Sequence, residues 1–151
     1  MNDGSDTTKM DFELKILTQK AEMLPIFPLF SQLNATVGAA DYAAMLDDML
    51  AHGYRMLVVF EKKEPVGLSG FWVTTKFYSG KYLELDNVVV AETHRSAGIR
   101  KLMCDFLEDL ARAEGVKTLM LDAYLENHKA HAFYEREGFE KKGYHFLKKI
   151  G

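Results

Sequence analysis

The sequence predicts a single α/β domain, a mixed sheet with helices on its faces in the order β-α-α-β-β-β-α-β-α-β. Three observations carry this expectation. Between Tyr54 and Val90, three apolar, β-branched and aromatic runs follow one another across links of hairpin length. From Ile99 to Leu110, apolar residues fall on one stripe of an amphipathic helix. Beyond that helix a strand-like run, a capped helical stretch and a last strand-rich segment alternate.

Taken in order, residues 1–10 carry small polar groups and almost no side chain to bury, so a disordered tail is expected there, with the domain spanning 11–151. Phe12, Leu14 and Ile16 alternate with Glu13 and Lys15, the period of a strand with one buried face. From Thr18 to Asn34 apolar residues recur at helical spacing, but Pro25 and Pro28 each remove a backbone donor, which predicts a broken or short helix. Asp41 is the expected N-cap of a second helix, with Met45, Leu46, Met49 and Leu50 on one face and Gly53 as its stop. Met56 to Phe60, Val66 to Tyr78 and Tyr82 to Val90 predict an antiparallel meander, linked by Glu61 to Pro65 and by Ser79 to Lys81. The helix of Ile99, Leu102, Met103, Phe106, Leu107 and Leu110 closes at Gly115. A strand from Thr118 to Leu125 follows, then a helix from Asn127 to Glu137 ended by Gly138, then a strand-rich run from Phe139 to Ile150.

Composition bounds the partners. With 151 residues, 48% of them apolar, the chain can bury one substantial core but not two ordinary ones. Against 19 Lys and Arg stand 22 Asp and Glu, a formal charge of −3, so no global positive field gathers nucleic acid. A single cysteine, Cys104, allows no internal disulfide, and the polar start lacks the apolar run of a secretion signal, which favours a cytoplasmic setting. No stretch approaches the ~20 apolar residues that cross a bilayer, and no membrane partner is expected.

The chemistry concentrates where Val88-Val89-Val90 runs through Ala91-Glu92-Thr93-His94 into Arg95-Ser96-Ala97-Gly98-Ile99-Arg100. A strand passing through small residues into a strong helix aims free N–H groups and the positive helix end at one point, an arrangement that suits a phosphate or pyrophosphate. Ser96, Ala97 and Gly98 let a ligand approach the backbone, and Arg95 adds charge. A helix of any α/β protein can also begin this way with no ligand at all.

This stretch resembles the signature of the GNAT acetyltransferases, Arg or Gln-x-x-Gly-x-Gly or Ala at the start of the third helix, here Arg95 to Arg100. A second signature follows at the family's spacing in Asn127, Ala130, Tyr134 and Gly138-Phe139, and the element order matches from Phe12 to Ile150. Tyr144-His145-Phe146 resembles the last strand of a branch of small prokaryotic members. The resemblance implies the acyl-CoA N-acyltransferase fold, acetyl-CoA as cosubstrate with no metal, and direct transfer to the primary amine of a small molecule or peptide. It implies that Val88, Val89 and Val90 pair with the pantetheine arm, that Arg95, Ser96, Ala97, Gly98, Ile99 and Arg100 surround the pyrophosphate, and that Asn127 bonds the arm unless it serves only as a helix cap. An N–H near Val89 would polarise the thioester carbonyl. Tyr134 matches the usual general acid, and either Glu84, eleven residues before Arg95, or Asp86 matches an acidic position of the base. A homodimer is implied too, with an acceptor entering around Gln32 to Tyr42.

One position departs from the pattern. Where the family usually has Gly or Ala, this chain has Arg100, whose guanidinium either binds the phosphates or obstructs them. The departure keeps open a different reading, a catalytically silent domain that binds or senses coenzyme A. His128, His131 and Glu135 share one helical face, yet a solvated face accounts for them without a metal. Cys104 sits within an amphipathic helix, where an inert thiol is the ordinary outcome.

Overall fold

A computed structural model describes residues 11–151; the expected tail at 1–10 lies outside the described residues. Its centre is a five-stranded sheet in the order β1-β2-β3-β4-β5. The strands are β1 (Phe12–Leu17), β2 (Arg55–Glu61), β3 (Glu64–Lys76), β4 (Gly80–Val90) and β5 (Thr118–Leu121). β1 to β4 are antiparallel neighbours, as the hairpin links predict. The first link closes tightly, with Glu61 opposite Glu64 and both Lys62 and Lys63 in the left-handed region. β5 joins β4 in parallel through the crossover helix α4 (Ile99–Ala113).

Strand alternation divides the sheet into two faces. Phe71 of β3 and Leu83 and Leu85 of β4 face α4, whose stripe of Ile99, Met103, Cys104, Leu107 and Ala111 is buried against them. Gly67 lies so close to Ile99 that a Cβ there would meet its Cγ2 methyl at 2.5 Å and displace that side chain. The other face carries Tyr54, packed over Gly70, and is covered in part by α1 (Lys20–Met23), α2 (Phe27–Ser31) and α3 (Ala39–Ala51). Met23, Ile26, Leu29, Tyr42 and Leu46 form that layer, and the Tyr42 hydroxyl donates to the Met23 carbonyl at 2.7 Å.

Pro25 and Pro28 break the first helical stretch as predicted. Each stands at the first turn of a new short segment, a 3₁₀ turn over Leu24–Ile26 and then α2, where a missing N–H costs nothing. The cap of α3 is a correction. Gly38 is the N-cap, because Tyr42 N–H already reaches the Gly38 carbonyl at 2.9 Å, and this leaves Asp41 inside the first turn. There its charge still complements the helix end.

The C-terminal part departs further. β5 stops at Leu121, and Tyr124 and Leu125 are exposed. Helix α5 (His128–Arg136) forms where expected, but residues 139–151 join no strand, and Tyr144, Phe146, Leu147 and Ile150 are 77–93% exposed. Apolar and β-forming character describes what a segment can pair with, while a strand exists only once a partner edge satisfies its N–H and C=O groups.

Candidate active site

β4 changes character halfway along. It pairs with β5 from Tyr82 to Leu85, and beyond that point its edge has no strand neighbour on the β5 side among the described residues. A register shift on the β3 side takes Gly70↔Asp86 to Leu68↔Val89, which sets Asn87 and Val88 against Ser69 alone. The extra residue is accommodated at Asn87, whose φ of 59° is left-handed. Its side-chain oxygen accepts from Asn34 Nδ2 at 2.9 Å, and Asn34 also donates to the Phe30 carbonyl at 3.0 Å. The helical layer thus grips the bulge from which Val88, Val89 and Val90 emerge. An Asp-Asn pair inside a β-forming run was the available sequence signal for that bulge; nothing local pointed to Asn34.

Past Val90 the chain makes a 3₁₀ turn over Glu92–His94 and enters α4 through Arg95, Ser96, Ala97 and Gly98. Ser96 and Gly98 have φ of 74° and 80°, which turns the backbone back on itself ahead of the helix. Gly98 is the N-cap and no side chain caps the helix, so the amides of the first turn, from Ile99 and Arg100 onward, remain available. A Cβ on Gly98 would meet nothing within 4 Å, so this end of the helix is open to a ligand. Three hydrogen bonds outside the turn pin it: Ala91 N–H to the Val66 carbonyl at 2.9 Å, Glu92 N–H to Gln32 Oε1 at 3.1 Å, and His94 Nε2 with Glu61 Oε1 at 2.7 Å. Sequence reasoning found the turn but not Gln32 or Glu61, which hold it from distant parts of the chain.

The second signature lies against the start of α4. Tyr134 on α5 is 6% exposed, with its ring edge-on to Phe133 and Phe139 at centroid distances of 5.1 and 5.5 Å. Burial raises its phenol above the ordinary value, and the nearby Arg100 charge opposes that rise. Arg100 Nη1 donates to the Tyr134 hydroxyl at 3.4 Å. Asn127 caps α5 by accepting from Ala130 N–H at 3.2 Å, which leaves its Nδ2 free to donate. Cys104 is buried beneath them, and burial pushes its thiol up to about 12, far from the thiolate a nucleophile needs. His131 engages the Tyr124 carbonyl at 2.8 Å, and among the described residues no three His, Cys, Asp or Glu side chains converge as metal ligands.

Glu84 and Asp86 sit on the face opposite α4, across from Trp72 and Gly70 of β3. Trp72 Nε1 donates to Asp86 Oδ2 at 2.9 Å, and the Tyr54 ring packs on Trp72 at 5.2 Å. Glu84 has its carboxyl raised, first by burial and then by the Asp122 charge at the end of β5. Burial, with a smaller contribution from Asp86, raises the Tyr54 phenol strongly. Trp72, Tyr54 and Asp122 are additions to the site, since no motif contains them. Two surface depressions, beside Phe12 and Phe60 and beside Arg112 and Leu119, are lined by none of Glu84, Asp86, Tyr134, Asn127 or the Arg95 to Arg100 turn.

The same combination of fold and motifs occurs in known proteins. The Acetyltransferase (GNAT) family matches residues 22–139. An uncharacterized N-acetyltransferase of Bacillus subtilis, YhdJ, is 27% identical over 139 residues, which cover 91% of this chain and 98% of the relative. Among solved structures, a Trypanosoma brucei acetyltransferase superposes with a TM-score of 0.75 at 23% identity, covering 93% of this chain and 100% of that one. The aminoglycoside N-acetyltransferase AAC(6')-Iy, solved in complex with CoA, reaches a TM-score of 0.80 at 14% identity, covering 93% and 95%. Since the family match takes in both signatures and most of the sheet, this chain belongs to the GNAT acetyltransferase family.

Proposed function

We propose that this chain transfers the acetyl group of acetyl-CoA directly to a primary amine of a small molecule or peptide. One observation carries the reading: the unpaired edge of β4 leads straight into an uncapped helix start, with a buried phenol beside it. The backbone of Val88, Val89 and Val90 offers the pantetheine arm what a strand edge offers a peptide. Amides around Gly98 and Ile99, with Arg95 at the rim, receive the pyrophosphate, and Ser96 and Ala97 keep the approach clear. Arg100 adds positive charge between this turn and Tyr134, and Asn127 Nδ2 donates to the arm. The CoA complex of the aminoglycoside acetyltransferase supports acyl-CoA as the donor here.

The chemistry then needs an acid and a base. The amine lone pair forms the bond to the acyl carbon while an N–H near Val89 steadies the charge growing on the carbonyl oxygen. As the carbon–sulfur bond breaks, its electron pair stays on sulfur and Tyr134 gives that sulfur a proton; the acylated nitrogen releases its second proton to solvent, from which Tyr134 is reprotonated. Glu84 takes the proton the ammonium loses, directly or through water, because its raised carboxyl holds a proton more readily than an ordinary carboxylate. Asp86, oriented by Trp72, holds the ammonium in place. A cationic acceptor fits this face, and polyamines, aminoglycosides and lysine peptides are the first to try.

The reading extends to one catalytic domain over 11–151, a cytoplasmic location consistent with the lone buried thiol, and a homodimer. No helix among the described residues is long and apolar enough to cross a membrane. Thermal shift with acetyl-CoA, followed by thiol release over an amine panel, tests the assignment. A protein that acetyl-CoA stabilises and that releases thiol only with an amine supports it, and one that gains no stability overturns it.

A further inference from the structure

We propose that Arg100 is a positioning residue for the proton donor, holding the Tyr134 hydroxyl so that its O–H points to the departing sulfur and steadying the phenolate left behind. This rests on Tyr134 acting as the acid. Arg100 Nη1 reaches the hydroxyl at 3.4 Å, and the guanidinium carbon lies over the Phe133 ring, 5.8 Å from its centroid. A guanidinium only donates, so the Tyr134 oxygen is the acceptor in this pair and its own proton is left for another partner. Among the described residues the hydroxyl makes no other hydrogen bond. Once the proton has moved to sulfur, the phenolate stands next to a permanent positive charge in a buried setting, where such an interaction is strong. Arg100 draws the phenol down against burial. Cys104 is the other titratable group bearing on it and acts in the opposite direction, with a thiol that stays neutral at physiological pH. The long side chain at a position the family pattern keeps small thereby acquires a role at the thiol end of the cosubstrate.

The test separates this role from phosphate binding. In full-length protein labelled with 3-fluorotyrosine, whose phenol ionises at lower pH, the ¹⁹F signal of Tyr134 is followed through a pH titration. Arg100→Met should move its ionisation to higher pH, and Arg100→Lys, which keeps a charge, should recover part of the shift, with circular dichroism verifying the fold. On turnover, Arg100→Met should lower kcat by about 10- to 100-fold, the scale of a hydrogen bond to a charged group, while Kd for acetyl-CoA changes by less than about threefold. In a Tyr134→Phe background the same substitution should add little. An unchanged titration in folded Arg100→Met, or a loss confined to Kd, overturns the inference and makes Arg100 a phosphate ligand or a bystander. Wild-type turnover in Tyr134→Phe overturns the acid assignment and the inference with it.

Discussion

A phenol that is 6% exposed gives up its proton less readily than one in water, and Tyr134 as the proposed acid is under that constraint. Replacing it with Phe keeps the ring and its edge-on contacts with Phe133 and Phe139 but removes the donor needed as the carbon–sulfur bond breaks. We expect kcat of Tyr134→Phe to fall by ~10²–10⁴-fold with Kd for acetyl-CoA within about threefold, measured by steady-state kinetics and calorimetry. A wild-type rate would return the residue to the core. Glu84 as the proposed base poses the opposite problem, since a base must be ionised. Burial and Asp122 raise its carboxyl, so its base form prevails only above that raised value, and the rate should fall as pH drops through it. If Glu84 is the base, the acid limb of kcat should lie above the ordinary value of a carboxylate and disappear in Glu84→Gln along with most activity. Tyr134 contributes nothing to this limb, because its raised phenol stays protonated throughout.

Elements set where these side chains act. The start of α4 needs a left-handed residue at Gly98, φ 80°, and an open approach to its amides. Gly98→Asn tolerates the backbone and should retain coenzyme A binding, whereas Gly98→Glu puts a negative charge in the anion site and should abolish it in calorimetry. Loss of binding in both would trace the effect to backbone strain alone. The β4 bulge offers a second test. Asn87→Gly preserves the left-handed turn and deletes the amide that receives Asn34 Nδ2 at 2.9 Å. If this bond aligns the free edge of β4, Asn87→Gly and Asn34→Ala should each lower kcat, and the double variant should lose little more than either alone. Additive losses would show that the two residues act separately. Sequence alone located α4, its terminal turn and the three-strand meander, because each is written in local periodicity and turn chemistry. Asn34 and Asn87 were not legible as a pair, being 53 residues apart.

At the scale of the whole molecule the exposed end of the chain is the feature that most needs a partner. Tyr144, Phe146, Leu147 and Ile150 leave a run of apolar surface in water, at the end of a chain whose β5 is already a sheet edge. A second copy covering this surface would bury it, so sedimentation should find a dimer at micromolar concentration, and removal of residues 140–151 should yield a monomer. A full-length chain that sediments as a monomer would refute the assembly. The same segment divides what sequence and structure each decide. Alternation and composition predicted a strand-rich run over 139–150, but the structure has no strand there, and among the described residues the outer edge of β5 is left unpaired. Asp41 illustrates the same limit on a smaller scale, since a good capping residue was present but the first turn closed on the Gly38 carbonyl instead. By itself the sequence determined the strand and helix faces, the proline breaks, the small-residue turn and the two signatures, because those depend on neighbours within a few residues. Only the tertiary structure set Trp72 on Asp86, Asp122 near Glu84, Glu61 on His94 and Arg100 on Tyr134, because hydrogen bonds and charge interactions fall off over a few ångströms and the chain must fold before those atoms meet.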